Sequence, residues 1–277
     1  TESFSVNDDV KVDVETSGGS IKVLGKNTDE VIVEMYVRKK GKYVRSGKAD
    51  LDNWDITISK RGNEVTAHAE RKKQRGWNWG NNSTSISFVV YAPERSMSSI
   101  RTSGGSIELG NLSGNQEART SGGSIKVEEI DGDINVRTSG GSISLESISG
   151  LVEAKTSGGR ISAEDIKGGV DLDTSGGSIS IENIEGDVKA RTSGGSISAE
   201  ITNPKNYVEL RTSGGSISIE VPKDKGYDLD LDGNRVRADL NNFTGEYEKD
   251  EIKGSLNGGG ILIKAKTSGG TVRFNYL

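Results

Sequence analysis

The sequence predicts an all-β protein whose core is a parallel β-solenoid, or β-helix, with about 18 residues per rung. The first observation is a repeat: the motif TSGG begins at Thr16, Thr102, Thr120, Thr138, Thr156, Thr174, Thr192, Thr212 and Thr267. The second is its spacing, which between Thr102 and Thr192 is 18 residues five times in succession. The third is that apolar residues recur at the same places in each unit. Low hydrophobic content (31%) combined with this periodicity fits a one-dimensional stack.

Residues 174–191, TSGGSISIENIEGDVKAR, show how one unit forms a rung. Two pairs of apolar residues alternate as in two short strands, with one isoleucine between them: Ile179 and Ile181, then Ile184, then Val188 and Ala190. The steps around Ile184 break the alternation and predict corners. We expect positive φ at 175–177 and at Gly186, and a gentler corner at 182–183.

A string of antiparallel hairpins, one per repeat, is the alternative fold, and the repeat alone does not eliminate it. A single unit buries too few apolar side chains to offset the conformational entropy lost on ordering its backbone. Stacking supplies the missing hydrogen bonds and packing. Identical residues recurring at a constant interval favour parallel, in-register rungs.

Two insertions interrupt the repeat and divide the chain into four segments. Residues 1–27 form a first rung, 28–100 an inserted antiparallel β head, 101–221 the regular rungs, and 222–277 a C-terminal cap with another rung. Within the cap, a hairpin is expected to turn at Asp232-Gly233. Since exposed solenoid ends invite polymerisation and both ends here carry extra chain, we expect a monomer.

Composition restricts the partners. The formal net charge is −5 with both signs interspersed, which provides no basic field for nucleic acid. No apolar run approaches the length of a transmembrane helix, so no transmembrane segment is expected. The opening TESFSV is typical of a mature or trimmed start, with a signal sequence already removed. There is no cysteine, which excludes disulfides and thiolate metal sites.

The opening FSVNDDVKVDVETSGGSIKVLG, the TSGGSI rungs and the closing GYDLDLDGNRVRADLNNFTGEYEKDEIKGSLNGGGILIKAKTSGG resemble a bacterial family of proposed adhesins. That family is a domain of unknown function with TSGG-type repeats, common in Bacteroidetes, and the likeness spans nearly the whole chain. The resemblance implies a β-solenoid and an exported protein of the cell envelope, cell surface or periplasm. It carries no catalytic residues over to this sequence.

Few residues in the sequence suggest catalysis, and we predict no catalytic residue, metal or cofactor. The only histidine, His68, alternates within a strand beside a turn and is interpreted as a strand-surface residue. A column of glutamates recurs once per unit: Glu128, Glu146, Glu164, Glu182, Glu200 and Glu220. Such a repeated column indicates a structural rule, whereas an active site breaks the repeat at one place. The stretch DLDLDG imitates the start of a calcium loop, but Arg235 and Asp239 depart from that pattern and favour a plain strand.

Two features are candidates for binding a partner. Trp77 and Trp79 lie in a basic loop and either stack on a ligand or fold back over the head. Outward serine pairs form a flat hydroxyl face that suits a glycan or ice, or that merely tolerates tight turns: Ser142 and Ser144, Ser178 and Ser180, Ser196 and Ser198, Ser216 and Ser218. Arg160 replaces the usual serine in one rung, as sequence drift or as a surface contact.

The sequence therefore predicts a non-enzymatic, adhesin-like interaction or scaffold protein that meets a protein or glycan at the cell surface. Two alternatives stay open. One is a self-assembling polymer similar to the bactofilins. The other is a polysaccharide-degrading enzyme built on a β-helix.

Overall fold

The computed structural model describes residues 1–7, 9–72 and 84–277. Its described residues form 28 strands and no helix, so the predicted all-β, largely parallel solenoid class is confirmed. Contacts divide the chain into two units. Unit 1 is Thr1–Gly132 with Val136–Thr138, and unit 2 is Asp133–Asn135 with Ser139–Leu277.

The strands of unit 1 are β1 Glu2–Ser5, β2 Val10–Thr16, β3 Ile21–Lys26, β4 Glu30–Lys39, β5 Lys42–Tyr43, β6 Trp54–Arg61, β7 Glu64–Arg71, β8 Thr84–Pro93, β9 Ser96–Thr102, β10 Ile107–Ser113, β11 Gln116–Thr120 and β12 Ile125–Asp131. Strand β13, Ile134–Thr138, is divided between the units. The strands of unit 2 are β14 Ile143–Ser149, β15 Val152–Thr156, β16 Ile161–Lys167, β17 Val170–Thr174, β18 Ile179–Glu185, β19 Val188–Thr192, β20 Ile197–Glu200, β21 Tyr207–Thr212, β22 Ile217–Val221, β23 Tyr227–Asp232, β24 Arg235–Ala238, β25 Phe243–Tyr247, β26 Glu251–Leu256, β27 Ile261–Thr267 and β28 Thr271–Tyr276.

Each regular rung of unit 2 places one strand in each of two sheets. One sheet has the order β14-β16-β18-β20-β22-β28-β24, and we call it sheet A. The other has the order β15-β17-β19-β21-β27-β23-β26-β25, and we call it sheet B. In sheet A, Ile161 pairs with Ile143 on one side and with Ile179 on the other, each 18 residues away. The isoleucine columns are buried between the sheets, and the intervening residues face outward.

In unit 1 the long insertion joins the two sheets of the stack. Strands β7 and β8 pair in parallel with β2 and β3, while β9 and β10 occupy the other side of the same two strands. The expected antiparallel pairing is present between β4 and β8 and between β6 and β7. The insertion is thus an additional rung with antiparallel strands beyond it, and Trp54 at the start of β6 is buried.

Unit 2 also has an insertion that changes the order of its strands. Strands β27 and β28 lie between β21 and β23 and between β22 and β24, respectively, although β23 and β24 precede them in the chain. The hairpin expected at Asp232-Gly233 is therefore wrong. Strands β23 and β24 belong to different sheets, and the Asp-Gly pair forms a corner because Asp232 aligns with Lys266, and Arg235 with Thr271.

The TSGG corner requires glycine for a reason that differs from our expectation. Positive φ occurs at Gly186 (159°), as expected, and also at Asn183 (53°), but at none of residues 175–177. A Cβ on Gly177 would lie 1.9 Å from the carbonyl oxygen of Gly159, in the corner of the rung before. Close stacking of successive corners, rather than backbone conformation, therefore excludes a side chain from this position.

Candidate functional site

The predicted serine pairs are brought together on the outer surface of sheet A in unit 2. We define the serine face as two columns of serines that run across successive strands: Ser142, Ser178, Ser196 and Ser216 in the first column, and Ser144, Ser162, Ser180, Ser198 and Ser218 in the second. In-register pairing joins Ser144 to Ser162 and continues strand by strand to Ser218. Six of these serines line one open depression of about 390 Å³: Ser178, Ser180, Ser196, Ser198, Ser216 and Ser218.

Hydroxyl groups of the first column connect adjacent rungs. The backbone N–H of Ser196 donates to the Oγ of Ser178 at 3.3 Å, and that of Ser216 donates to the Oγ of Ser196 at 3.1 Å. The N–H of Thr271 does the same with Ser216 at 3.1 Å. These oxygens therefore have a structural role, although each hydroxyl keeps its hydrogen available for donation.

The second column is different. Among the described residues, the hydroxyl groups of Ser180, Ser198 and Ser218 make no hydrogen bond. Strand spacing places consecutive members about 4.8 Å apart, so the column presents donors and acceptors at a constant interval. Ser162 belongs to the same column, although Arg160 stands in place of the other serine of its pair.

Arginines lie at both ends of the depression. Arg160 occupies the first column where neighbouring rungs have serine, and its N–H donates to the Oγ of Ser142 at 3.3 Å. Arg273 continues the second column, since it pairs in register with Ser218. Aligning TSGGTVRF with TSGGSISI would have found Arg273 from the sequence. Four strand spacings separate the strands of the two arginines, or about 19 Å.

The glutamate column runs beside the serine face, on the same side of sheet A. Glu164 pairs with Glu146 and with Glu182, and Glu200 pairs with Glu220. The neighbouring carboxylate of Glu182, followed by desolvation and by the charge of Glu146, raises the pKa of Glu164 above its usual value. The side chains are exposed or half-buried, and the repulsion between them is shared with solvent.

Sheet B has a different outer surface, which is covered by ion pairs. Lys189 Nζ lies 3.1 Å from Asp171, and Arg191 lies 3.4 Å from Glu209. Asp173 pairs in register between Lys155 and Arg191, and so interrupts the column of positive charge. This surface is consistent with solvated structural charges, and Lys189 and Arg191 on it are already partnered.

The remaining candidates fall into different places. Trp77 and Trp79 lie outside the described residues. His68 is on the outer side of β7, where its Nε2 lies 3.1 Å from the Oδ2 of Asp13. The described residues contain no group of three or more His, Cys, Asp or Glu side chains placed to hold a metal ion. Nor do they contain a helix of the length and hydrophobicity needed to cross a bilayer.

The acidic stretch that imitates a calcium loop forms strand β23. Asp230 Oδ2 lies 3.2 Å from Lys264 Nζ, and its Oδ1 lies 3.3 Å from Lys266 Nζ. Asp228 accepts hydrogen bonds from the hydroxyl of Ser255 and from the N–H of Gly260, at 2.7 and 3.1 Å. These carboxylates are therefore used in closing the C-terminal rungs.

The chain is similar to known proteins. Two solved structures are similar over the full length of the chain. One is a proposed cell adhesion protein from Clostridium sporogenes ATCC 15579, at 11% identity and a TM-score of 0.25, with 98% of that chain covered. The other is a proposed adhesin from Bacteroides fragilis NCTC 9343, at 14% identity and a TM-score of 0.43, with 95% covered. A search of curated proteins found no match.

A family profile gives the assignment. The profile of the Toastrack family, DUF4097, matches residues 40–275 and thus most of the chain. The match includes the inserted strands from β5 onward, the regular rungs and the C-terminal cap. The chain belongs to the Toastrack DUF4097 family.

Proposed function

We propose that this protein is a non-enzymatic, adhesin-like interaction module of the cell envelope, and that its serine face is the surface that meets a glycan partner. The observation that carries the proposal is the second serine column, whose side chains are exposed or half-buried, lie in register and have no hydrogen-bond partners among the described residues. Sugars are recognised through hydrogen bonds to their hydroxyl groups, and a flat ladder of Ser hydroxyls offers both donors and acceptors.

The residues around the serine face favour ligand binding over catalysis. Among the described residues that line the depression there is no histidine or lysine to act as a base, and the charged side chains are Arg160 and Arg273. The glutamates nearby repeat rung by rung instead of forming one isolated pair of acids. A rigid surface of this kind loses little conformational entropy when a partner binds.

Capping of the stack supports a monomer over a polymer. The outer edge of β24 is occupied, because Val236 N–H donates to the carbonyl oxygen of Lys249 at 2.9 Å and Gly233 N–H donates to that of Asp250 at 3.0 Å. A second copy would have to displace these bonds to extend sheet A at this end.

The test uses a steric block. Ser198→Phe adds bulk at the centre of the face without entering the core, and Lys189→Phe adds the same bulk to the outer surface of sheet B. Binding of both variants and the unmodified chain is measured by biolayer interferometry against a panel of neutral and acidic polysaccharides. We expect the unmodified chain and Lys189→Phe to bind at least one member and Ser198→Phe to lose that binding.

Three outcomes would contradict the proposal. They are absence of binding across the panel, binding that Ser198→Phe leaves unchanged, and release of reducing sugar from any polysaccharide tested. The last result would favour the enzyme alternative. Export to the envelope is implied by the family resemblance, and cell fractionation followed by surface labelling tests it.

A further inference from the structure

Three arginines lie together where the serine face reaches the end of sheet A. Arg237 pairs in register with Arg273 on the adjacent strand, and Arg235 lies two residues before Arg237 on the same side of β24. All three are exposed. Within the described part of the chain, none of their guanidinium groups forms an ion pair.

This arrangement is unfavourable unless it has a partner. Like charges directly opposite on neighbouring strands repel. In sheet B the comparable run of Arg191, Arg211 and Lys266 has carboxylates beside two of its members, since Glu209 lies 3.4 Å from Arg191 and Asp230 lies 3.3 Å from Lys266. The guanidinium group is planar and forms two parallel hydrogen bonds with a carboxylate, sulfate or phosphate group. Adjacent unpaired arginines in a chain of net charge −5 therefore indicate a binding site for an anionic group.

The distribution of negative charge limits which anionic ligand fits. The glutamate column continues along sheet A to Glu220, whose partner on β28 is Asn275. At that same strand the serine column gives way to Arg273. A ligand that lies along the serine face and reaches the arginines therefore has positive charge at one end and a row of carboxylates along its side. A densely charged polymer is repelled by that row, whereas a chain with few acidic groups is not.

A second depression, of about 550 Å³, adjoins the arginines and extends the site. Arg235, Arg237 and Lys249 line it together with Tyr247, a residue that is 59% exposed, and with Glu248. Aromatic rings pack against the apolar faces of sugar rings, and positive charges around the ring attract an acidic substituent. The chemistry of this depression therefore matches an acidic sugar.

We infer that Arg235, Arg237 and Arg273 form a subsite for the acidic group of a sparsely charged polysaccharide, whose neutral sugars lie along the serine face. This inference rests on the proposed binding role of that face and names the class of its ligand. Nucleic acid and anionic membranes carry a high density of negative charge, and the glutamate column disfavours both.

The experiment compares one double variant with a matched control. Arg237→Gln combined with Arg273→Gln removes two charges from the subsite, and Arg211→Gln removes an exposed arginine from sheet B. Thermal unfolding checks that all variants remain folded. The probes are hyaluronan oligosaccharides, in which every second sugar carries a carboxylate, together with neutral dextran, heparin and vesicles containing phosphatidylserine. We expect hyaluronan to bind about tenfold or more weakly to the double variant and normally to Arg211→Gln.

Unchanged hyaluronan binding by the double variant, or equal binding of dextran and hyaluronan, would overturn the inference. So would tighter binding of heparin or of the vesicles. None of these results contradicts the serine-face proposal, which is tested separately because Ser198→Phe would block a neutral glycan as well as an acidic one. Conversely, loss of hyaluronan binding in the arginine variant with full binding by Ser198→Phe would support the anionic subsite alone and would overturn the placement of the neutral sugars along the serine face.

Discussion

The hydroxyl of Thr174 donates a 2.9 Å hydrogen bond to the carbonyl oxygen of Gly159, which belongs to the corner of the preceding rung. The hydroxyl oxygen of Thr174 in turn accepts from the N–H of Gly177 in its own corner, at 3.4 Å. Thr156 and Thr192 repeat the arrangement with Gly141 and Gly177. These threonines are buried, so one side chain links two successive corners within a site that excludes water.

Replacing Thr174 with valine keeps the shape of the side chain and removes this link. Because the carbonyl of Gly159 loses a buried donor, we expect the free energy of unfolding to fall by about 1–3 kcal/mol. Denaturant unfolding followed by circular dichroism measures the change. Ser175→Ala, at the exposed neighbouring position, serves as the control and should change stability by less than about 0.5 kcal/mol. Equal stability of the two variants would show that the hydroxyl contributes nothing.

The two glycines of one corner should respond differently to alanine. In Gly177→Ala the new Cβ would lie 1.9 Å from the carbonyl oxygen of Gly159, whereas in Gly176→Ala the nearest atom, the carbonyl oxygen of Gly158, is 3.5 Å away. We expect the first substitution to destabilise the protein by at least about 2 kcal/mol and the second by less than about 1 kcal/mol. Melting temperatures compare them, and similar values would reject close stacking as the reason for glycine.

Removing one charge from the glutamate column should alter the titration of its neighbour. The charge of Glu182 is the largest influence that raises the pKa of Glu164, so Glu182→Gln should lower the pKa of Glu164 toward its ordinary value. A raised carboxyl pKa means that the folded state binds the proton more tightly. Stability from this source is present below the ordinary glutamate pKa and is lost as pH rises through the raised pKa.

Carbon-detected NMR titration of the glutamate carboxyl groups measures this effect. Glu185→Gln, a substitution on the same strand but outside the column, is the matched control and should leave Glu164 unchanged. A Glu164 titration curve that Glu182→Gln does not shift would contradict the predicted coupling.

Acid should weaken the C-terminal rungs through Asp230. Burial acts to raise the pKa of Asp230, but the ammonium groups of Lys264 and Lys266 outweigh it and hold the pKa below its usual value. This contribution to stability is present above the ordinary aspartate pKa and is lost as pH falls through the lowered value. Unfolding measured from neutral pH into the acid range should show this loss in the unmodified chain. In Asp230→Asn stability should be lower at neutral pH and depend less on acid, and parallel curves would contradict the assignment.

The rung inserted out of order should matter as much as any central one. Phe274 on β28 is fully buried and packs edge-to-face against Tyr227 and Tyr276, at centroid distances of 6.1 and 5.7 Å. We expect Phe274→Ala to lower the free energy of unfolding by about 3–5 kcal/mol. Asn275→Ala, one residue further along, should have a small effect. If Phe274→Ala were equally mild, β28 would be a loosely attached strand.

The repeat was sufficient to predict the solenoid because its period places chemically equal residues side by side. Ile143, Ile161 and Ile179 fall into one buried column because each rung repeats the last, and no long-range information is needed to see it. The serine face follows from the same periodicity. Its division into bonded and free hydroxyls does not, since that depends on distances between rungs.

The C-terminal cap shows where the sequence is ambiguous. An Asp-Gly pair between two alternating segments suits a hairpin turn and a solenoid corner equally well. The residues that decide between them are on β28, more than thirty positions away from Asp232, and pair with β24 only in the folded chain. Arg237 was missed for the same reason: nothing near it in sequence shows that its neighbour is Arg273.

The insertion of β27 and β28 between strands made earlier has a consequence for biosynthesis. A ribosome releases β21 to β24 first, so a nascent chain can stack β23 on β21 only provisionally, in a position that β27 later occupies. The native order of strands can form only after residues 261–276 have been synthesised. A message truncated before that point would leave β23 and β24 without their native parallel neighbours, and such a product should be recognised readily by proteases.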